Sequence, residues 1–162
     1  MGDRMKFKRI AVGGTFDYLH DGHLAILAKT FELGGHVLVG ITSDEMQLVK
    51  DSAGIQPLEV REQALWELLR SRGWLEQAEV HVISDPFGPT IDDPELEAIV
   101  VSPETRRRAE ELNEIRVLKG LRKLEIVQIP FVLAEDGAPI SSIRIRYGEI
   151  DTHGKLLKRY GP

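Results

Sequence analysis

The chain contains no cysteine. Disulfides, thiol nucleophiles and cysteine-based zinc sites are therefore excluded. Aromatic residues are scarce, at 6% of 162 residues. No apolar run approaches the roughly 20 residues needed to cross a bilayer. The opening Met1-Gly2-Asp3-Arg4-Met5-Lys6 lacks the apolar stretch of a signal peptide, so a cytoplasmic protein without membrane association is expected. An excess of positive charge is also missing. The net charge of −5 argues against broad attraction to nucleic acid, although a local basic pocket can exist within an acidic whole. Two phosphate signatures are absent as well: the Gly-Lys-Ser/Thr of a P-loop and the Gly-x-Gly-x-x-Gly of a dinucleotide-binding turn.

What remains is the composition of a globular protein, 42% apolar and 29% charged, with a length that suits one domain over residues 1–162. Five short branched-apolar runs stand out: Arg9–Val12, Val37–Ile41, Val80–Ile83, Ala98–Val101 and Ile126–Ile129. Helical patterns or turn signals separate them. This alternation predicts βαβ units and a doubly wound, Rossmann-like parallel α/β sheet. A first helix is expected over Asp21–Leu33, with Leu24, Leu27, Ala28 and Phe31 on its apolar side and Gly34-Gly35 as its C-terminal signal. A second is expected over Leu58–Leu69, burying Leu58, Ala64, Leu65, Leu68 and Leu69. A third is expected over Pro103–Leu118, capped by Ser102-Pro103. Ser84–Pro94 is too broken for a helix and reads as a long ordered loop. Residues 151–162 read as a short helix with a Leu156-Leu157 anchor and a frayed end.

The most informative stretch is residues 13–23, Gly-Gly-Thr-Phe-Asp-Tyr-Leu-His-Asp-Gly-His. It joins the first strand to the first helix. Such a corner offers backbone N–H groups and a helix N-terminus to an anion. His20 and His23 stand three apart, so both rings can face one bound group. Three chemistries compete: metal ligation, general-base or nucleophilic action, and hydrogen bonding to phosphate as charge builds in a transition state. Metal ligation lacks a third ligand, since His36, His81 and His153 show no ligand spacing. The plain alternative is that both histidines are surface or capping residues. Gly22 fits the phosphate reading, because a side chain there would crowd the phosphate. If the first and fourth strands are neighbours, Ser102-Pro103-Glu104-Thr105-Arg106 faces the same cleft.

Gly14-Thr15-Phe16-Asp17 with His20-Asp21-Gly22-His23 resembles the signature of the His-x-Gly-His nucleotidyltransferases. Ile140-Ser141-Ser142-Ile143-Arg144-Ile145-Arg146 is similar to their Ile-Ser-Ser-Thr-x-Ile-Arg segment, with Ile143 where threonine is usual. Gly13-Gly14-Thr15-Phe16-Asp17, Gly88-Pro89-Thr90 and Val100-Val101-Ser102-Pro103-Glu104-Thr105 narrow the resemblance. They look like the phosphopantetheine adenylyltransferases of archaea and the related domain of the eukaryotic coenzyme A synthase, from about Lys8 to Asp151.

The resemblance implies transfer of AMP from ATP to 4′-phosphopantetheine, giving 3′-dephospho-coenzyme A and pyrophosphate. It implies Mg²⁺ carried on the ATP phosphates rather than in a protein cage, and coenzyme A as a further ligand. Carried over by position, His23, His20, Thr15 and Lys50 would be catalytic. Gly13, Gly14, Phe16, Gly22, Glu104, Ser141, Ser142 and Arg146 would bind ATP or its phosphates, with Arg144 as the alternative to Arg146. Ser102, Thr105, Thr15 and Lys50 would contact substrate, and Asn113 lies on the same side of the cleft. Asp17 shapes the corner. Of Arg106-Arg107-Arg108, at least one is expected to be simply solvated. A monomer or small homo-oligomer is expected. Two other readings stand beside this one. The first is a glycerol-phosphate cytidylyltransferase or FAD-synthesising adenylyltransferase, and the second is a nucleotide-binding module without catalysis.

Overall fold

The computed structural model describes residues 5–47 and 54–157. Five parallel strands are ordered β3-β2-β1-β4-β5. They are β1 (Phe7–Gly14), β2 (Gly34–Thr42), β3 (Ala78–Ile83), β4 (Ala98–Val101) and β5 (Glu125–Gln128). Each expected strand is present. The helices are α1 (Asp21–Leu33), α2 (Asp44–Gln47), α3 (Leu58–Ser71), α4 (Arg106–Leu118) and α5 (Ser142–Arg146). The chain builds outward from β1 to β3, then crosses to β4 on the other side of β1. The strand order therefore reverses between β1 and β4, and the loops leaving their carboxyl ends part to open a crevice.

Both faces of the sheet are covered. Ile10, Val12, Val39 and Ile41 pack against Leu27 and Phe31 of α1 and Leu65 and Leu69 of α3. Ala11 and Leu38 point the other way, toward Leu112 of α4, Leu96 and Leu124. Successive residues of β1 thus feed opposite cores, which is why it is apolar without alternation. In α1 the buried positions are Leu27, Thr30 and Phe31, while Ala28 is exposed. The Thr30 hydroxyl is satisfied by donating to the Ile26 carbonyl at 2.6 Å.

Three expectations are corrected: the start of α4, residues 151–157 and the buried side of α3. α1 does end at Gly34, as expected, with φ −117° and with Gly34 already the first residue of β2. A Cβ there would lie 2.1 Å from Ile10 Cγ2, so close approach to β1 requires glycine. α4 starts at Arg106 rather than Pro103, because the Thr105 hydroxyl accepts the Ser102 N–H at 3.1 Å and closes Ser102–Thr105 into a separate turn. Residues 151–157 form no helix. The Asp151 carboxylate collects the His153 and Lys155 N–H groups, Gly154 has φ +85°, and Ile150 bridges an exposed Leu156. α3 buries Arg61 fully beside Leu65 and Leu69, whereas Leu58, Ala64 and Leu68 are half-buried.

Ser84–Pro94 is an ordered loop with a 3-10 turn at Gly88–Ile91. Asp85 accepts the Phe87 and Gly88 N–H groups. The buried Arg116 donates to Thr90 O at 2.7 Å and Asp93 O at 2.9 Å, fastening the loop to α4.

Candidate active site

At the carboxyl end of β1 the backbone makes two unusual bends. Phe16 has φ +53° and Tyr18 has φ +45°, both in the left-handed region that costs a side-chain-bearing residue about 1–2 kcal/mol. The surroundings hold them there. Gln56 accepts the Tyr18 N–H at 3.0 Å and donates its own N–H to Asp17 Oδ1 at 2.9 Å. Arg61, with 0% exposure, donates to the carbonyls of Thr15 (2.9 Å), Thr42 (2.7 Å) and Gln56 (2.8 Å), and to Asp44 (3.1 Å). One buried guanidinium therefore joins the ends of β1 and β2 to α3.

The bends deliver His20 as the N-cap of α1. Its Nδ1 accepts the Gly22 N–H at 3.0 Å, and His23 Nδ1 accepts the His20 N–H at 3.2 Å. The two rings stack at 3.8 Å, with Phe16 beneath His23 at 5.5 Å. Burial lowers the His20 pKa to about 4. Burial, with the neighbouring His20, lowers that of His23 to about 3. Both imidazoles are therefore neutral at pH 7. With each Nδ1 accepting from backbone, the single proton of each ring belongs on Nε2. The plain reading holds for one end of each ring, since the Nδ1 atoms cap the helix, while the Nε2–H groups remain as donors at the cleft.

This arrangement corrects two expectations. The N–H groups of Asp21, Gly22 and Leu24 are bonded within the protein, to Thr152 O, His20 Nδ1 and His20 O. The opening of α1 is therefore largely satisfied internally, which leaves the imidazole Nε2–H groups as the donors this corner presents to the cleft. Gly22 is needed for a nearer reason than phosphate access, since a Cβ would come 2.8 Å from His20 Cε1 and push the ring off its cap.

The C-terminal segment meets the same corner. Ser142 Oγ donates to Asp17 O at 2.6 Å, and Ser141 caps α5 by accepting the Arg144 N–H at 3.3 Å. The Ser142 proton is thus committed to the corner, while Ser141 keeps its own. Asp17 is 2% exposed, and burial raises its pKa against the Gln56 N–H, Arg146 and Arg61. Arg146 Nε lies 3.3 Å from Asp17 Oδ2, at ion-pair distance without hydrogen-bond alignment. Arg144 instead pairs with Asp136 and Glu149 away from the cleft, so Arg146 is the arginine of this segment that lines it. The departure from the family pattern, Ile143, is 55% exposed at the rim.

These parts line one cleft of about 520 Å³, within the range of small-molecule sites. Gly13, Gly14, Thr15, Phe16, His20, Gly22 and His23 lie on the β1 side, and Ser102, Glu104 and Thr105 on the β4 side. Ser141, Ser142 and Arg146 border it from α5. Phe16 is 1% exposed and serves as a prop for His23. Asn113 is not at the cleft. It is buried, and its amide pairs in both directions with the backbone of Leu124. Lys50 lies outside the described residues. Sequence reasoning missed Arg61 and Arg108. Arg108 lines the cleft and stands one turn before the core residue Leu112, a spacing that could have set it apart from its neighbours. Among the described residues no cluster of three or more His, Asp or Glu is placed to hold a metal ion.

A doubly wound parallel sheet with a capped His-x-Gly-His corner at its switch point defines a class, the nucleotidyltransferases with a cytidylyltransferase-like fold. The cytidylyltransferase-like family model matches residues 11–148. The chain is 47% identical over 158 residues to the phosphopantetheine adenylyltransferase of Methanothermobacter thermautotrophicus, covering 96% of this chain and 93% of that protein. It is 46% identical over 153 residues to that of Methanosarcina mazei, covering 93% and 97%. A crystal structure of an Archaeoglobus fulgidus protein of unknown function is 33% identical, with a TM-score of 0.68 over 75% of this chain and 88% of that one. The chain belongs to the phosphopantetheine adenylyltransferase family and is a nucleotidyltransferase.

Proposed function

We propose that this chain transfers the adenylyl group of ATP to 4′-phosphopantetheine, yielding 3′-dephospho-coenzyme A and pyrophosphate, a step of coenzyme A biosynthesis, through a single domain spanning residues 1–162. The observation that carries the reading is the pair of neutral imidazoles presenting Nε2–H donors at the cleft, in a chain nearly half identical to enzymes of that name. An oxygen of the acceptor phosphate attacks the α-phosphorus, and the bond from that phosphorus to the bridging oxygen of pyrophosphate breaks. The acceptor is already ionised at pH 7, so no base is required. The leaving group departs as an anion, so no strong acid is required. The protein's task is alignment and stabilisation of charge on the phosphoryl oxygens.

His23 donates from Nε2 to the oxygens around the transferring phosphorus, and His20 to a neighbouring phosphate. A neutral donor suits this task because it has no charge of its own to lose when the products leave. Thr15, at the end of the strained corner, contacts the reacting phosphates. Ser141 and Arg146 meet the pyrophosphate end, and Ser102 and Thr105 the acceptor. Lys50 neutralises phosphate charge. The nucleotide enters as its Mg²⁺ complex. The carboxylates lining the described cleft fit that arrangement, since Asp17 is buried against Gln56 and Arg146, and only Glu104 is exposed at the rim.

Pyrophosphate release with ATP and 4′-phosphopantetheine tests the proposal. Turnover with that pair, and none with CTP and glycerol phosphate or with ATP and FMN, is expected. The reverse pattern would reassign the substrate within the nucleotidyltransferases.

A further inference from the structure

The proposed reaction brings two polyanions together. The histidines that face them are neutral, so they supply direction without net charge. Among the described residues the cleft lining includes two arginines, Arg146 and Arg108. Arg146 stands beside the buried carboxylate of Asp17, which offsets much of its charge. Arg108 is different. It is half-buried in the first turn of α4, beside Ala109 and one turn before Leu112, which seat that face of the helix on the sheet. No hydrogen bond or ion pair engages its guanidinium among the described residues. Its neighbour Arg106 is held by Glu110 at 3.3 Å and by Gln128 at 3.3 Å, and Arg107 is exposed. A half-buried arginine lining a cleft that must hold phosphates, with no acidic partner among the described residues, is suited to bidentate phosphate recognition.

We propose that Arg108 binds a phosphate group of a substrate from the β4 side of the cleft, opposite His20 and His23. This inference rests on the reading of the site as a phosphate-binding cleft. Two sources share the chemistry, the triphosphate of ATP and the acceptor phosphate. The guanidinium supplies the attraction that the neutral imidazoles lack. It draws one anion toward the other without taking part in proton transfer.

Binding of ATP alone and of 4′-phosphopantetheine alone is measured by calorimetry for the wild type, Arg108→Gln, Arg108→Lys and Arg107→Gln. Arg108→Gln retains most of the packed stem, and thermal unfolding confirms that it folds. The expected result is at least about a tenfold loss of affinity for one of the two ligands in Arg108→Gln, partly restored in Arg108→Lys and absent in Arg107→Gln. The ligand affected identifies the phosphate. Its affinity should also depend less on salt in Arg108→Gln than in the wild type. Unchanged affinity for both ligands in folded Arg108→Gln would overturn the assignment. An equal loss in Arg107→Gln would overturn it too, since the effect would then be general charge. Turnover is read separately. A wild type that binds ATP without adenylylating 4′-phosphopantetheine would refute the proposed reaction, while the ATP titrations still decide whether Arg108 holds a phosphate.

Discussion

His23 Nδ1 accepts the backbone N–H of His20, and by that one bond the second histidine of the motif fixes the position and the tautomer of its own ring. His20 does the same through the Gly22 N–H. A single device thus caps the helix, removes the Nδ1 atoms from competition, and leaves two Nε2–H donors.

The first prediction separates the two ends of the ring. His23→Asn retains an acceptor near the Nδ1 position but has nothing at Nε2. It should lower kcat by at least about 10²-fold, with stability within about 1 kcal/mol of wild type. His23→Gln places an amide nitrogen near Nε2 and loses the cap, so it should retain more activity and less stability. Steady-state kinetics and urea denaturation of both variants check this. The opposite ranking would remove the proposed role of Nε2.

The second concerns pH. The histidine pKa values fall from the ordinary 6.5 to about 4 and about 3 on folding, because burial penalises the charged rings. The unfolded chain therefore binds more protons than the native one below pH 6.5. Stability is full above that value and is lost as pH falls toward 4 and then 3. The loss by pH 4.5, about 2 pH units of linkage for each of the two rings, should be on the order of 5 kcal/mol, and a His20→Gln/His23→Gln double variant should lose less over the same range. Urea denaturation at pH 7 and pH 4.5 measures it. In turnover, any limb near pH 6 belongs to the second ionisation of the acceptor phosphate, and it should persist in His20→Gln.

The third contrasts two glycines. Gly34→Ala sets a Cβ 2.1 Å from Ile10 Cγ2 at the junction of α1 and β2, and should cost about 1–3 kcal/mol with kcat preserved in the folded fraction. Gly22→Ala sets a Cβ 2.8 Å from the His20 ring, and should lower kcat about tenfold or more through the displaced donor. Equal effects of the two on kcat would show that the His20 ring position does not matter.

The fourth tests the buried guanidinium. Arg61→Met leaves the carbonyls of Thr15, Thr42 and Gln56 without their donor. At about 1–3 kcal/mol for each unsatisfied group, the loss should be at least about 3 kcal/mol, read as a lowered urea midpoint. A stability near wild type would mean that the corner is held by Gln56 alone.

Much of this was legible in the chain. The runs at Ala98–Val101 and the helix at Asp21–Leu33 match the structure residue for residue, because branched apolar runs and a polar-to-apolar helix start are local signals. The strand-helix corner was legible because a glycine pair, a hydroxyl and two histidines rarely meet without a shared task. Three features were hidden. Asn113 reads like a cleft residue from its position after β4, but the way α4 packs turns it toward the Leu124 backbone. Arg61 reads like a solvated arginine, since nothing nearby in sequence reveals the three carbonyls it collects from β1, β2 and the α3 entry. Ser142 reads like a phosphate ligand, yet its hydroxyl is bonded to Asp17, 125 residues away.

The sequence by itself determined the parallel sheet, the corner at its switch point and the family, because these depend on local periodicity and on residue types at short spacing. Only the tertiary structure decided how the histidines are presented to the cleft. Burial makes them neutral, and the backbone N–H groups of His20 and Gly22 point their protons outward. It also decided that Arg146 rather than Arg144 lines the cleft and that Arg108 stands there without an acidic partner among the described residues. Burial, tautomer and charge balance arise from groups brought together across the fold, and no local run of residues carries them.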